Sequence, residues 1–312
     1  MTDVTSSDGT RLALGEWGPT DAPRLLLVHG LGLSAESWGT VPQRLSDRYR
    51  VTAYDLRGHA QSGDARSGDY TLGAHARDLD AVLTHVAPDG GPVVVVVHSL
   101  GGGILLTHVD AAPDDRVAGA VFVGSGGSGV TAPGLAARHL PGWLQQTLRW
   151  WWWNALRGGV RVGRLVEPVE TLSDRLVRRA AFAPGEPEQF VAQVRDSFLG
   201  SRPRALSGTT MASLSHDGVE LAPALRSPTL LVHGSADPEV PAEEIRELLS
   251  VLADGELVTV PDAGHMLPLT HPDVVVAQVR RWMERIAPPG RPSGSRERHG
   301  DGTVTGGVPT TG

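Results

Sequence analysis

The stretch VVVVVHSLGGG, residues 93–103, sets five valines before His98 and Ser99 and then follows Leu100 with three glycines. A β-branched run without polar interruption reads as a strand buried on both faces, as in a parallel sheet covered by helices. The glycines open a helical segment, 100–110, and leave room for a tight turn between strand and helix. Such a turn pushes its serine out of the sheet's edge. It also places the Leu100 N–H at the helix start, where a developing oxyanion is stabilised. A serine hydroxyl is a weak nucleophile until a neighbouring base takes its proton, so this reading needs partners elsewhere in the chain. Without them the stretch is a glycine-rich turn with an incidental serine.

The same pattern recurs outward from that strand. A hairpin opens the chain, with RLALGEW (11–17) after a turn at Ser7-Asp8-Gly9. RLLLVHG (24–30), RVTAYD (50–55), VAGAVFV (117–123), TLLVHG (229–234) and ELVTV (256–260) are further apolar strands. Helical patterns fall between them at 34–47, 71–86, 242–252 and 273–286. This alternation predicts an α/β fold: a mostly parallel sheet of about eight strands with helices on both faces. Residues 124–227 break the rhythm, beginning with the flexible GSGGSG (124–129), and are expected to form an inserted helical cap. The catalytic core is then 1–123 with 228–287. The segment 288–312 is rich in glycine, proline and serine, has almost no apolar residues, and is expected to be disordered.

Composition excludes several classes. The chain has 312 residues, no cysteine and a net charge of −7. Disulfides and thiolate metal sites are ruled out, and general nucleic-acid binding is disfavoured. All 28 basic residues are arginine, so no lysine-dependent mechanism and no phosphate-binding Gly-Lys loop is available. The N-terminus carries no secretory pattern and no run is long enough to span a membrane, so a cytoplasmic location without stable membrane insertion is expected. No histidine spacing suggests a metal site, and no cofactor is expected.

Partners for Ser99 lie at the other strand ends. His29-Gly30-Leu31-Gly32 follows one strand and offers the Leu31 N–H as a second oxyanion donor. Asp237 lies in GSADPEVP and His265 in PDAGHMLPL, each just past a strand. In a parallel sheet these loops open at the carboxyl edge, where Ser99 also sits. Asp262 is a rival acid, and the turn residues around it favour a structural role instead.

With HGLG, DLRGHAQSG (55–63), VHSLGG (97–102), GSADPEVP and AGHMLPL in this order, residues 1–287 resemble an α/β-hydrolase with a cap after the sixth strand. The resemblance implies Ser99 as nucleophile, His265 as base, Asp237 as the acid orienting it, and an oxyanion hole from the Leu31 and Leu100 N–H groups. A histidine base predicts activity that rises through an apparent pKa of about 6–7. Two positions depart from the family pattern. Val97 stands where G-x-S-x-G has glycine, so either the elbow shifts or the neighbouring helix stands off. Ala60 replaces the last glycine of a Gly-His-Gly loop, a mild change.

Dehalogenases and epoxide hydrolases resembling this chain carry aspartate where Ser99 stands, and the related hydroxynitrile lyases rely on a lysine. What remains is hydrolysis of a carboxylic ester, thioester or lactone. The alternatives are C–C hydrolysis or perhydrolysis by the same triad, or a non-catalytic ligand-binding protein on this fold. Met266-Leu267-Pro268-Leu269 looks more like esterases than C–C hydrolases. Five of the eight tryptophans fall in LPGWLQQTLRWWWW (140–153). They read as cap core, as an apolar roof over a substrate, or as an interfacial patch. Trp38, Trp143, Trp150 and Trp153 are the tryptophans expected to meet a small apolar or amphiphilic substrate.

Overall fold

The computed structural model describes residues 2–126, 147, 168–213 and 216–286. The valine run is strand β5 (Val93–His98), fully buried along its length. Val93, Val95 and Val97 face one apolar layer with Leu79, Val82, Ile104 and Leu105. Val94 and Val96 face the opposite layer with Trp38, Val41, Val275 and Trp282. Successive strand residues point to opposite faces, so in a strand covered on both sides every valine is buried in one layer or the other.

Around β5 the sheet has eight strands: β1 (Thr2–Thr5), β2 (Arg11–Trp17), β3 (Arg24–Val28), β4 (Arg50–Tyr54), β5, β6 (Val117–Val123), β7 (Thr229–Gly234) and β8 (Gly255–Val260). Their spatial order is β1-β2-β4-β3-β5-β6-β7-β8. β1 and β2 form the opening antiparallel hairpin, β2 joins β4 antiparallel, and the other neighbours are parallel. The chain leaves β3 for β4 on one side and returns to place β5 on the other. Strand order therefore reverses between β3 and β5, the position at which open α/β sheets form a crevice at their carboxyl ends.

One helix differs from the sequence reading. The expected 34–47 helix is a 3₁₀ turn, Ala35–Trp38, followed by α1 (Val41–Leu45). Gly39, at φ 55°, ends the first piece, and Pro42 lies in the first turn of the second. The remaining core helices are α2 (Leu72–Val86), α3 (Leu100–Ala111), α8 (Ala242–Val251), the short α9 (Leu267–Thr270) and α10 (Pro272–Ile286). Between β6 and β7 the described residues form α4 (Pro168–Ala181), α5 (Glu188–Gly200), α6 (Pro203–Ser213) and the short α7 (Gly218–Leu221). This segment reaches the carboxyl edge of the sheet: Arg202 N donates to Gly58 O at 3.3 Å and His265 N to Ala181 O at 3.0 Å. Trp143, Trp150, Trp153 and the 288–312 tail lie outside the described residues.

The DLRGHAQSG loop is fastened by a buried ion pair. Arg57 Nε and Nη2 each donate to Asp78 at 2.6 Å, and both side chains are fully buried. Arg57 also reaches Asp8 at 3.1 Å and the Asp69 carbonyl at 2.8 Å. Removing one partner of such a pair leaves an uncompensated charge in a low-dielectric interior. Arg57→Leu should therefore cost about 3–5 kcal/mol of unfolding free energy, read from denaturant titration. The double variant with Asp78→Leu should lose clearly less than the sum of the two single losses. A loss under about 1 kcal/mol for Arg57→Leu would show that the pair is not what holds the loop.

Candidate active site

Ser99 sits between β5 and α3 at φ 51° and ψ −122°, a left-handed conformation that a non-glycine residue adopts at a cost of about 1–3 kcal/mol. Three hydrogen bonds hold it there. Ser99 N donates to Val123 O at 3.3 Å, Gly102 N to Ser99 O at 3.0 Å, and Ser125 Oγ to Ser99 O at 2.7 Å. Gly30 at the end of β3 presses against the elbow: a Cβ there would lie 2.8 Å from Ser99 Cβ. His29-Gly30-Leu31 and Ser99 thus flank the crevice between β3 and β5. Leu100 N begins α3 on one side and Leu31 N lies in the loop on the other. Among the described residues, no protein acceptor takes either N–H.

Val97 is accommodated without displacing the elbow. It pairs with Val28 and Phe122 in the sheet and is fully buried. The helix lies close because residue 101 is glycine: a Cβ there would sit 2.7 Å from Val28 O and 3.3 Å from Val97 Cβ. The valine fills space that the missing side chain of Gly101 leaves, so the helix need not stand off. Val97→Gly should leave a cavity and lower stability by roughly 2–3 kcal/mol, with unchanged or lower activity. Unfolding midpoint and kcat/KM measured together test this. A tenfold rise in rate would mean that the native elbow is poorly formed.

The loop after β8 brings His265 to the same edge. Its Nδ1 lies 2.9 Å from Asp237 Oδ2, on the loop after β7. Asp237 Oδ1 accepts from the backbone N–H of Glu239 at 2.8 Å and of Val240 at 3.0 Å. Burial alone would raise the Asp237 pKa, but His265 and these hydrogen bonds bring it below the usual carboxylate value. Asp262, the rival acid, is exposed at φ 55° and gives its N–H to Ser235 Oγ at 2.8 Å. It plays no part at the ring.

The other nitrogen of His265 carries a contact the sequence reading did not include. Glu239 Oε2 lies 3.2 Å from Nε2, the ring nitrogen not taken by Asp237. Among the described residues, Ser99 Oγ makes no hydrogen bond to this ring. Burial disfavours a charged imidazole, yet the two carboxylates outweigh it and hold the His265 pKa up to about 9. The sequence had led to 6–7. Glu239 stands within the quoted GSADPEVP, two residues after the acid, and that spacing was the available signal.

Three buried histidines support the site while uncharged. His98 Nε2 donates to the His265 carbonyl at 3.1 Å, and its ring lies 4.8 Å from that of His265. Burial, with His265 nearby, brings its pKa down to about 3. His59 Nε2 accepts the Gly32 N–H at 3.1 Å and so fixes the Leu31 loop. His29 Nε2 accepts the Leu56 N–H at 2.9 Å, tying that loop to the one that follows β4. Burial lowers both, to about 3 and about 4. Ala60, next to His59 in the loop after β4, is at φ 35°, so its replacement of glycine is a strained one and not the mild change expected. Trp38 is also corrected. It is 1% exposed, packs among Val41, Leu45 and Leu267, and sets its ring edge toward His98 at 6.3 Å. It supports the site from the core and presents no face to a substrate.

From the helical segment, Glu186 clamps the His265 loop. Its Oε1 accepts the Gly264 N–H at 3.1 Å and its Oε2 the Ala183 N–H at 2.7 Å. Nothing in the local sequence distinguishes this glutamate from its neighbours.

The profile of the alpha/beta hydrolase family matches residues 25–278. A bifunctional esterase/perhydrolase of Acinetobacter calcoaceticus is 27% identical over 290 residues, covering 87% of this chain and 95% of that protein. A magnesium-chelatase 30 kDa subunit of Rhodobacter capsulatus is 30% identical over 274 residues, 86% of this chain and 89% of that one. A solved esterase of Thermogutta terrifontis, bound to malate, superimposes with a TM-score of 0.73 at 24% identity, over 91% of this chain and 98% of that one. By its profile match, its strand order and its strained serine turn, the chain belongs to the alpha/beta hydrolase family.

Proposed function

We propose that this protein hydrolyses a carboxylic ester, thioester or lactone through Ser99, His265 and Asp237. The observation that carries the reading is the strained Ser99 turn at the β3–β5 crevice, at the same edge as a buried His265–Asp237 pair. Ser99 Oγ attacks the acyl carbon while His265 Nε2 takes its proton. The Leu31 and Leu100 N–H groups receive the oxyanion. His265 then protonates the departing alcohol or thiol, and water repeats the sequence on the acyl-serine. Asp237 keeps the Nε2 lone pair directed outward by holding Nδ1–H. Nε2 is free to do this only once Glu239 has moved off it.

In this reading residues 124–227 act as the cap, and Trp143, Trp150 and Trp153 remain its candidate substrate contacts. The likeness to an esterase/perhydrolase supports peracid formation as a second outcome, with hydrogen peroxide replacing water at the acyl-serine. The test is a series of 4-nitrophenyl esters of increasing acyl length. Hydrolysis should begin with a burst of nitrophenol equal to the enzyme concentration, marking the acyl-enzyme. No turnover and no burst with any ester would favour a binding protein.

A further inference from the structure

Glu239 lies where the chemistry of the proposed reaction is most sensitive to charge. Nε2 of His265 is the atom that delivers a proton to the leaving group, so a side chain 3.2 Å from it borders the leaving group's place. About a quarter of the Glu239 side chain reaches solvent, so a ligand can meet it. Among the described residues, no arginine pairs with it, and the chain has no lysine. Its backbone is fixed, since Glu239 N donates to Asp237 Oδ1. A carboxylate at this point repels anionic leaving groups, and burial beside Asp237 raises its pKa above the ordinary carboxylate value, so its charge calls for a cationic partner.

We propose that Glu239 is a specificity-determining residue that takes a cationic group on the leaving alcohol of the ester, and that in doing so it releases His265 Nε2 to serve Ser99. The inference rests on the ester-hydrolase reading and adds the class of substrate to it. With Glu239 on the ring, His265 lies between two carboxylates and holds its proton, so it cannot accept one from Ser99. A substrate ammonium offers Glu239 a replacement partner. Pairing with it removes one carboxylate from the ring, so the Nε2 proton passes to solvent and the neutral Nε2 faces Ser99, and it sets the ester oxygen beside Nε2. The correct substrate thereby assembles the active base, and uncharged esters act on an enzyme whose base is still engaged.

The groups facing this ring come from four elements. Asp237 and Glu239 belong to the loop after β7, His98 to the end of β5, His233 to the end of β7, and Glu186 reaches the adjoining Gly264 from the helical segment. His98 and His233 are pushed toward the neutral form by burial. Glu186 accepts two backbone N–H groups, one of them from Gly264 beside the ring. Glu239 and Asp237 are the carboxylates that raise the base.

The experiment compares acetylcholine with 3,3-dimethylbutyl acetate, its uncharged carbon isostere, alongside 4-nitrophenyl acetate. The native protein should favour acetylcholine in kcat/KM by about tenfold or more. Glu239→Gln, with an unchanged melting temperature, should bring that ratio within about threefold of one. It should also move the acid limb for 4-nitrophenyl acetate down from about 9 toward the ordinary histidine range. Tetramethylammonium binding, measured by calorimetry on Ser99→Ala, needs no turnover and should weaken at least tenfold when Glu239→Gln is added. Turnover of all three esters with no preference for charge, or a preference that survives Glu239→Gln, overturns the inference and leaves ester hydrolysis standing. Tetramethylammonium binding that depends on Glu239, without turnover of any ester, keeps the cation site and overturns ester hydrolysis instead.

Discussion

Replacing Ser99 with alanine is expected to lower kcat for an activated ester by about 10⁴- to 10⁶-fold while the protein stays folded. In the proposed reaction the loss is large because Ser99 would supply the bond-forming atom, and without it the oxyanion donors and the base have no tetrahedral adduct to act on. Folding should be little affected. The Ser99 side chain makes no hydrogen bond to another described residue, so none is lost. Alanine meets the same backbone penalty at φ 51° that serine already bears. Glycine provides the second arm: Ser99→Gly should be as inactive as alanine but more stable, since it adopts this conformation freely. The comparison reads out how much strain the elbow holds. Ester turnover within tenfold of native in both variants would remove Ser99 from the chemistry.

How far the sequence led, and where it stopped, follows from the physics of each residue. β5 was legible because burial on both faces demands an unbroken apolar run, and the run ends where the serine turn begins. The parallel sheet followed from strands that are continuous and apolar, not alternating, whereas the switch between β3 and β5 is seen only in the strand order of the fold. Strand ends therefore located Ser99, Asp237, His265 and Leu31 at one edge before any contact was known. What the sequence could not supply was the direction of side chains. Trp38 looked like a binding aromatic and is packed in the core, because a 3₁₀ turn rotates it inward. Glu239 sat in full view within a quoted motif, but its reach to Nε2 depends on a loop conformation that no periodicity encodes. Glu186 works across 78 residues of sequence, a pairing set only by how the helical segment folds back.

Asp237→Asn should be the other severe substitution, with kcat/KM reduced by about 10⁴, or about 5.5 kcal/mol of transition-state stabilisation. The reason lies in which atoms the carboxylate serves. Oδ1 accepts two backbone N–H groups, from Glu239 and Val240, so an asparagine must place its oxygen there and its NH2 at Oδ2. That NH2 then donates to His265 Nδ1, which has to become the acceptor. The proton moves to Nε2, and Nε2–H finds Glu239 waiting at 3.2 Å. The wrong tautomer is thus favoured from both sides of the ring, and it cannot take a proton from Ser99. Asp237→Ala should behave differently. It frees Nδ1 from a forced acceptor role, so it should keep more activity than asparagine despite losing two loop hydrogen bonds and more stability. The decisive measurement is kcat/KM for both variants with and without Glu239→Gln. Removing Glu239 should restore part of the loss in Asp237→Asn, because the wrong tautomer then lacks its second partner. If alanine proves the more damaging of the two at position 237 and Glu239→Gln restores nothing, the tautomer does not control the base.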